Sequence, residues 1–515
     1  MSTATITPAE RGGFPQLLHA EWTKFRTVRG WLIGMAVAGL VAVLFGLLAA
    51  SATHSSCDAP PGQTCSSGPI GPAGAPVTDK FYFVHQSLTG DGSITARVTA
   101  LSGIITYPQS SPGAIVPGVE PWTKAGIIIK ANTDQGSPYA AVLVTGDHGV
   151  RMQYNYTHDT AGSPGVVAAA SPRWLRLTRT GDTLTGYEST DGSRWTTVGT
   201  AHLTGLAATV QTGLFVASPG DVQVQEGLGG GAAQHHTQAT AVFDQVSLRG
   251  QAAGQWNGTA VGGTGGTDWE RHHRPAGMTR SGGTFTVTGS GDIAPIADPG
   301  RDTERALIGV FAGLIAMIVV ATLFVTAEYR RGMIRTTLAA GPRRGQVLAA
   351  KAIVIGSATF VTGLFATAVS VPLSERVLRA NGAQIAPIAI LTELRVIAGT
   401  AALLAVAAIL ALAVGTIARR SAAAVTAVIV TVVVPYFLAV TSAVPTGAAQ
   451  WLLRVTPAAA FAIQQSLPPY PQMSGAYTPS NGYFPLAPWA GFAVLCGYAA
   501  LALGVAAHRL RRRDA

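Results

Sequence analysis

The stretch WLRLTRTGDTLTGYESTDGSRWTTVG, Trp174 to Gly199, alternates apolar and polar side chains, with turn signals at Gly181-Asp182 and Asp191-Gly192. Successive side chains on a strand point to opposite faces. The pattern therefore predicts antiparallel strands, half buried and joined by tight turns. Similar blocks lie on both sides: FYFVHQSLTGDGSITARVTALSG (Phe81 to Gly103), PWTKAGIIIKAN (Pro121 to Asn132), GLFVAS (Gly213 to Ser218) and AVFDQVSL (Ala241 to Leu248). Short strands separated by frequent turns predict an all-β sandwich over about 77–250.

The rest of the chain reads differently. It has 515 residues, 48% hydrophobic and 12% charged, with a mean hydropathy of +0.33. A soluble domain carries roughly a quarter charged residues, so much of this chain must face lipid. A spanning helix needs about 20 mostly apolar residues. Six segments qualify, at about 31–51, 305–326, 350–373, 396–417, 421–443 and 487–507. The first is too long for a signal-peptide core and lacks a clear cleavage site, so it is read as a retained anchor.

Positive charge orients the spans. Arg11, Lys24, Arg26, Arg29, Arg330, Arg331, Arg335, Arg343, Arg344, Lys351, Arg419, Arg420 and the Arg509–Arg513 cluster flank one side. The other side holds Arg376, Arg379, Arg395 and Arg454. Both termini are therefore expected in the cytoplasm, and residues 52–302 outside. The net charge of +10 follows from these flanks and calls for no nucleic acid. Apart from Arg305 and Lys351 at their boundaries, the spans hold no Asp, Glu, Lys or Arg. That argues against an ion-coupled carrier, which needs a charge-carrying group in the membrane. The spans are rich in Ala, Gly, Ser and Thr, which favours close helix packing.

Phe14 to Gly30 forms an amphipathic helix, with Phe14, Leu17, Leu18, Trp22, Phe25 and Val28 on one face. Glu21 falls inside the apolar arc. A carboxylate there needs a basic partner, either Arg29 or an arginine of the 330–344 loop; the alternative is a solvated position at the helix edge. The loop 327–350 breaks at Gly341-Pro342 and carries most of the internal positive charge.

The Glu21-Trp22-Thr23-Lys24 entry helix, the Glu328-Tyr-Arg-Arg-Gly-Met-Ile-Arg335 loop and Pro342-Arg343-Arg344, in that order on six spans, resemble the ABC-2 type permease family of actinobacteria. The resemblance covers about 1–50 and 303–515. It implies the membrane subunit of an ATP-driven exporter or lipid-processing complex, paired with a copy of itself or with a second permease. A surface made of Glu21, Trp22, Lys24, Arg26, Glu328, Tyr329, Arg330, Arg331, Arg335, Pro342, Arg343 and Arg344 would meet the ATPase. The chain has no GxxxxGK[ST] phosphate-cradling loop, so ATP and Mg belong to a separate ATPase subunit and no cofactor is expected here.

The order of the β blocks resembles the concanavalin A-like (laminin G-like) jelly roll of secreted bacterial proteins. The expected fold is thus a six-helix membrane domain with an extracellular jelly roll between helices 1 and 2. GGTFTVTGSGDI, Gly282 to Ile293, stands after the last jelly-roll block rather than before the first, and is expected to close the sandwich as a displaced edge strand. No Glu-x-Asp-x-Glu strand is present, and Glu188 and Asp191 beside a turn read as solvated. No catalysis is expected. Trp122, Tyr187 and Trp195 are candidate ligand-stacking residues for a cell-wall glycan, while Trp174 reads as core. A structural or protein-contact role for the outer domain stays open, as does a membrane-anchored recognition module without transport. Of the three cysteines, Cys57 and Cys65 are candidates for a disulfide. The His235-His236 and His272-His273 pairs lack a supporting ligand pattern, so no metal site is expected.

Overall fold

The computed structural model describes residues 13–53, 68–107, 115–224, 227, 232–263, 276–296, 303–330, 344–382, 385–467, 469–475 and 477–512. The helices in chain order are α1 (Phe14–Thr27), α2 (Arg29–Ser51), α3 (Thr303–Ala306), α4 (Ile308–Arg330), α5 (Arg344–Ala380), α6 (Ile390–Ala418), α7 (Ser421–Val428), α8 (Val434–Val440), α9 (Thr446–Val455) and α10 (Pro488–Arg512). Among the described residues, six helical segments are long and apolar enough to cross a membrane: α2, α4, α5, α6, the α7–α8 pair and α10.

Two boundaries differ from the sequence reading. Helix α5 is longer than the apolar run 350–373 and carries Lys351 inside it rather than at its edge. The span expected at 421–443 is found at Ser421–Val440, its two helices joined by a wide π turn, Ile429–Val433. Pro435 in the first turn of α8 has no N–H to give the preceding turn, which accounts for the widened coil.

Lipid tails are as apolar as leucine, so packing contacts and hydrogen bonds hold such helices together. Small residues let the backbones meet. A Cβ on Gly309 of α4 would lie 1.9 Å from the Ala42 carbonyl of α2, and one on Gly46 would lie 2.6 Å from the Ala306 carbonyl. At this same end of α2, Asn381 donates from Nδ2 to the carbonyls of Ala50 and Thr53, satisfying acceptors that the end of the helix leaves open.

The strands follow α2 and precede α3: β1 (Val77–Asp79), β2 (Phe81–Thr106), β3 (Ile115–Pro117), β4 (Lys124–Lys130), β5 (Tyr139–Thr145), β6 (Val150–Tyr154), β7 (His158–Ala161), β8 (Arg173–Thr180), β9 (Thr183–Ser189), β10 (Thr196–His202), β11 (Thr209–Ala217), β12 (Asp221–Val224), β13 (Ala232–Val261), β14 (Gly277–Ser281), β15 (Thr284–Gly289) and β16 (Ile293–Pro295). All pairings are antiparallel, in the order β10-β9-β8-β2-β11-β4-β5-β6-β7, with the long β13 beside β2. The first half of β2 pairs with β11 and the second half with β8, so one strand serves both layers of a sandwich. The bend falls at Gly90, in the left-handed region at φ 70°. Leu175, Leu177 and Leu184 of one layer share a core with Ile127, Ile129 and Val142 of the other.

The displaced strand takes a place the sequence reading missed. β15 lies between β13 and β14, not at an edge, because the chain reverses at Gly282-Gly283, both with positive φ, and β14 becomes the outer neighbour. Phe285 and Val287 of β15 are buried in the main core. Its continuation, β16, pairs with β1 instead, bringing Val77 opposite Pro295.

A second core lies on the other side of β4 and β5, where Phe81, Phe83, Phe215, Tyr139 and Tyr156 pack under β1 and β16. This is why KAGIIIK is buried along its whole length. Two lysines at its ends are fully buried. Lys130 Nζ lies 2.7 Å from Asp79 Oδ2, which also accepts from the Tyr156 hydroxyl at 2.7 Å and the Gly136 amide at 2.8 Å. Lys124 Nζ lies 2.5 Å from Asp292 Oδ1 and donates to the Ile293 carbonyl. Burial lowers the Lys130 ammonium pKa, an effect that Asp79 opposes. The two pairs fasten β1 and β16 to the sandwich. Asp79→Ala strands a buried ammonium and is expected to destabilise by about 3–5 kcal/mol, while Asp79→Leu with Lys130→Met loses much less. Thermal unfolding of the full chain in detergent measures both; equal losses in the single and double variants would contradict this role.

Candidate functional site

At the end of the helical bundle where α1 lies, Glu21, Lys351 and Glu328 meet. Lys351 Nζ stands 2.7 Å from Glu21 Oε2 and 2.6 Å from Glu328 Oε1. Lys24 Nζ completes the group, 2.8 Å from Glu21 Oε1 and 3.4 Å from Glu328 Oε1. Lys351 is only 2% exposed, and both carboxylates are buried as well. Burial alone would lower the Lys24 pKa, but the two carboxylates outweigh it and raise it above the ordinary lysine value. An aromatic wall closes the cluster: Phe324 packs edge-on against Phe25 and Trp31, with Lys351 Nζ 5.1 Å from the Phe324 ring centre.

The expectation that Glu21 needs a basic partner holds, but the partner differs. Arg29 is exposed, and Lys351 with Lys24 fills the role. The helix α1 settles with Glu21 and Phe25 inward, while Trp22 and Val28 of the same apolar face are exposed. The sequence did contain a sign of this arrangement. Lys351 opens an apolar run that otherwise lacks charge, and Glu328 closes another.

The other expected residues of this surface are scattered. Arg26 and Arg330 are exposed. Tyr329 is half-buried, with the Arg419 guanidinium 5.4 Å above its ring. Arg344 Nη1 donates to the Leu510 carbonyl at 2.7 Å, tying α5 to the end of α10. Arg331, Arg335, Pro342 and Arg343 lie outside the described residues, as do Cys57, Cys65 and the His272-His273 pair.

A second ionic arrangement sits at the opposite end of the bundle and was not anticipated. Arg395 of α6 donates from Nη2 to the Gln465 carbonyl at 2.7 Å, while Glu304 Oε1 of α3 accepts the Ser466 amide at 2.5 Å. That carbonyl and that amide belong to one peptide unit, so two opposite charges grip it from its two sides. The loop that continues from it reaches the sandwich, where Gln472 Nε2 donates to the Thr157 carbonyl at 3.1 Å. Glu304 itself follows closely on β16. The clamp therefore connects α3, α6 and the loop beneath the β-domain. Burial raises the Glu304 pKa, and the Ser466 hydrogen bonds only partly offset this.

In the β-domain, Tyr187 and Trp195 share a face, but Trp122 does not join them. Trp122 is buried, stacked on His148 at 3.9 Å and beside Arg151. Trp174, read from sequence as core, lies on the outer face with Arg97 5.5 Å from its ring centre; Leu175 and Leu177 take the core side. Glu188 is not solvated: it is buried and accepts the Ser163 amide at 2.7 Å. Asp191 is exposed and caps its own turn through the amides of Ser193 and Arg194, which depress its pKa. His235 rests on Asp221 at 3.3 Å, and no group of three potential metal ligands occurs among the described residues.

Lys351→Met leaves two buried carboxylates with only the partly exposed Lys24 to neutralise them. It is expected to lower stability by about 3–5 kcal/mol, with most of the loss recovered when Glu21→Gln and Glu328→Gln are added; unfolding temperatures in detergent compare the two, and an unshifted single variant would deny the cluster its structural role. For Glu304, a raised folded-state pKa means the native state binds the proton more tightly, so stability falls as pH rises through and above the ordinary glutamate value. A pH series of unfolding temperatures should show that slope and its flattening in Glu304→Gln.

No curated protein matches the chain. Solved structures similar in part include a functionally unknown protein from Saccharomyces cerevisiae, 16% identical over 33% of this chain and 74% of that one, with a TM-score of 0.21. Scytalido-glutamic peptidase with a transition state analog inhibitor is 9% identical over 42% of this chain and 98% of that one, with a TM-score of 0.26. The family described as ABC-2 family transporter protein matches residues 205–515, more than half of the length and all the membrane-spanning candidates after α2. The chain belongs to the ABC-2 transporter family.

Proposed function

We propose that this protein is the transmembrane permease subunit of an ATP-driven ABC-2 type exporter, worked by a separate ATPase subunit that binds ATP and Mg. The observation that carries the reading is the Glu21–Lys351–Glu328 cluster. It fixes an amphipathic helix against the ends of two spanning helices, so force applied to α1 is delivered to α4 and α5 together. A buried ion pair of this kind resists separation, because pulling one partner away leaves an unpaired charge in a low-dielectric setting. Trp22, Arg26 and Arg330 are exposed beside it and supply the contact surface for the ATPase.

The protein resides in the plasma membrane with both termini in the cytoplasm, as the distribution of Arg and Lys requires. The β-domain lies outside, a lectin-like jelly roll standing over the end of the bundle where the Glu304–Arg395 clamp sits. The chain performs no catalysis itself and acts as a pair, with a second copy or a second permease. The packing of small residues along α2 and α4 supports a bundle that moves as a block.

Gentle solubilisation with a C-terminal tag should recover a P-loop ATPase in comparable amount. Arg26→Glu with Arg330→Glu, both exposed, should reduce that recovery while membrane insertion and unfolding temperature stay unchanged. Recovery of cell-wall polymer without any ATPase would instead favour an anchored recognition module.

A further inference from the structure

Outside the main core, one face of β2, β8, β9, β10 and β13 carries an unbalanced set of charges. Registers place Arg97 of β2 opposite Trp174, Thr95 opposite Arg176, and Arg176 opposite Tyr187 of β9. On the far side of β2, Ser93 stands opposite Arg249 of β13. Arg97 is neutralised by Asp244, with Nε 2.7 Å from Oδ1 and Nη2 2.5 Å from Oδ2. Arg176 and Arg249 have no carboxylate within ion-pair distance among the described residues. The Arg176 guanidinium carbon lies over the Trp195 ring, 3.8 Å from its centre, and Nε donates to Thr95 Oγ1 at 3.1 Å.

Burial, and then the nearby positive charge of Arg249, lower the Arg176 pKa. Two like charges brought together without a counter-ion repel each other, and a bound anion relieves that repulsion. A guanidinium stacked on an indole keeps its N–H donors at its rim, where they match a carboxylate in the bidentate manner. The surroundings are hydroxyl-rich, with Thr197 opposite Tyr187 and Thr183, Thr185 and Thr200 further along the same face. A protein-binding patch has a desolvated apolar centre, which this face lacks.

We propose that this face binds an anionic polysaccharide, its carboxylates on Arg176 and Arg249 and its sugar rings beside Tyr187 and Trp195. The assignment rests on the reading that the β-domain lies outside the cell, but its test does not depend on transport or on an ATPase.

Full-length protein in nanodiscs is titrated with oligogalacturonate, with the neutral methyl ester of the same chain and with inorganic polyphosphate. Oligogalacturonate should bind, and Arg176→Gln with Arg249→Gln should weaken it by about tenfold or more. Arg249→Gln alone, at an exposed position, covers the case in which the double variant misfolds and should weaken binding several-fold. Arg280→Gln, on a different strand pair, should leave affinity unchanged. Absence of oligogalacturonate binding, equal binding of the methyl ester, or an unaffected Arg249→Gln variant would overturn the proposal. Equal retention of polyphosphate would do so too, by showing that charge alone is read.

Discussion

Lys351 between Glu21 and Glu328 is the contact on which the arrangement at the α1 end of the bundle depends. An ammonium buried to this degree demands compensation. The two carboxylates that provide it come from α1 and from the last turn of α4. Because neither charge can be left behind in an apolar setting, the three elements keep a fixed relation to one another. The ring contacts of Phe25, Trp31 and Phe324 fill the remaining space. In this way an amphipathic helix becomes part of the bundle.

The β-domain uses the same device for a different purpose. Lys124 and Lys130 sit at the two ends of a strand buried on both faces, and each holds an aspartate near one of the terminal strands. The pairing of β1 with β16 brings the entry and exit of the domain together. A domain whose ends are adjacent can hang between two closely packed helices without prying them apart. That suits α2 and α4, where a single added methyl group at Gly309 has no room. The Glu304–Arg395 clamp then lies where the chain returns from the sandwich to the bundle. The two ends of the helical domain are thus each organised by ionic groups.

Much of this was legible from the residues. Periodicity identified the strands at 173–202 and the spans, since alternation and apolar length are local properties. Glu21 stood out because it broke a helical stripe. The sequence reading passed over Lys351 as its partner because only packing decides which basic residue beside the α4–α5 connection comes to lie against α1. Trp174 and Trp122 were assigned to the wrong sides for a related reason. Alternation says that neighbours on a strand face opposite ways, but not which face another layer will cover. The GTFTVTG segment was recognised as a strand, yet the reversal at Gly282-Gly283 gave its edge to β14.

The sequence by itself determined the two-part character of the protein, the number and rough bounds of its spans, and the existence of an ionic requirement at Glu21. These follow from hydrophobic length, period-two alternation and the cost of burying a charge. The tertiary structure decided which charges meet, which aromatic rings face outward and which strand closes the sandwich. Those outcomes depend on contacts between residues distant in the chain, where burial and like-charge repulsion act only after the elements have packed.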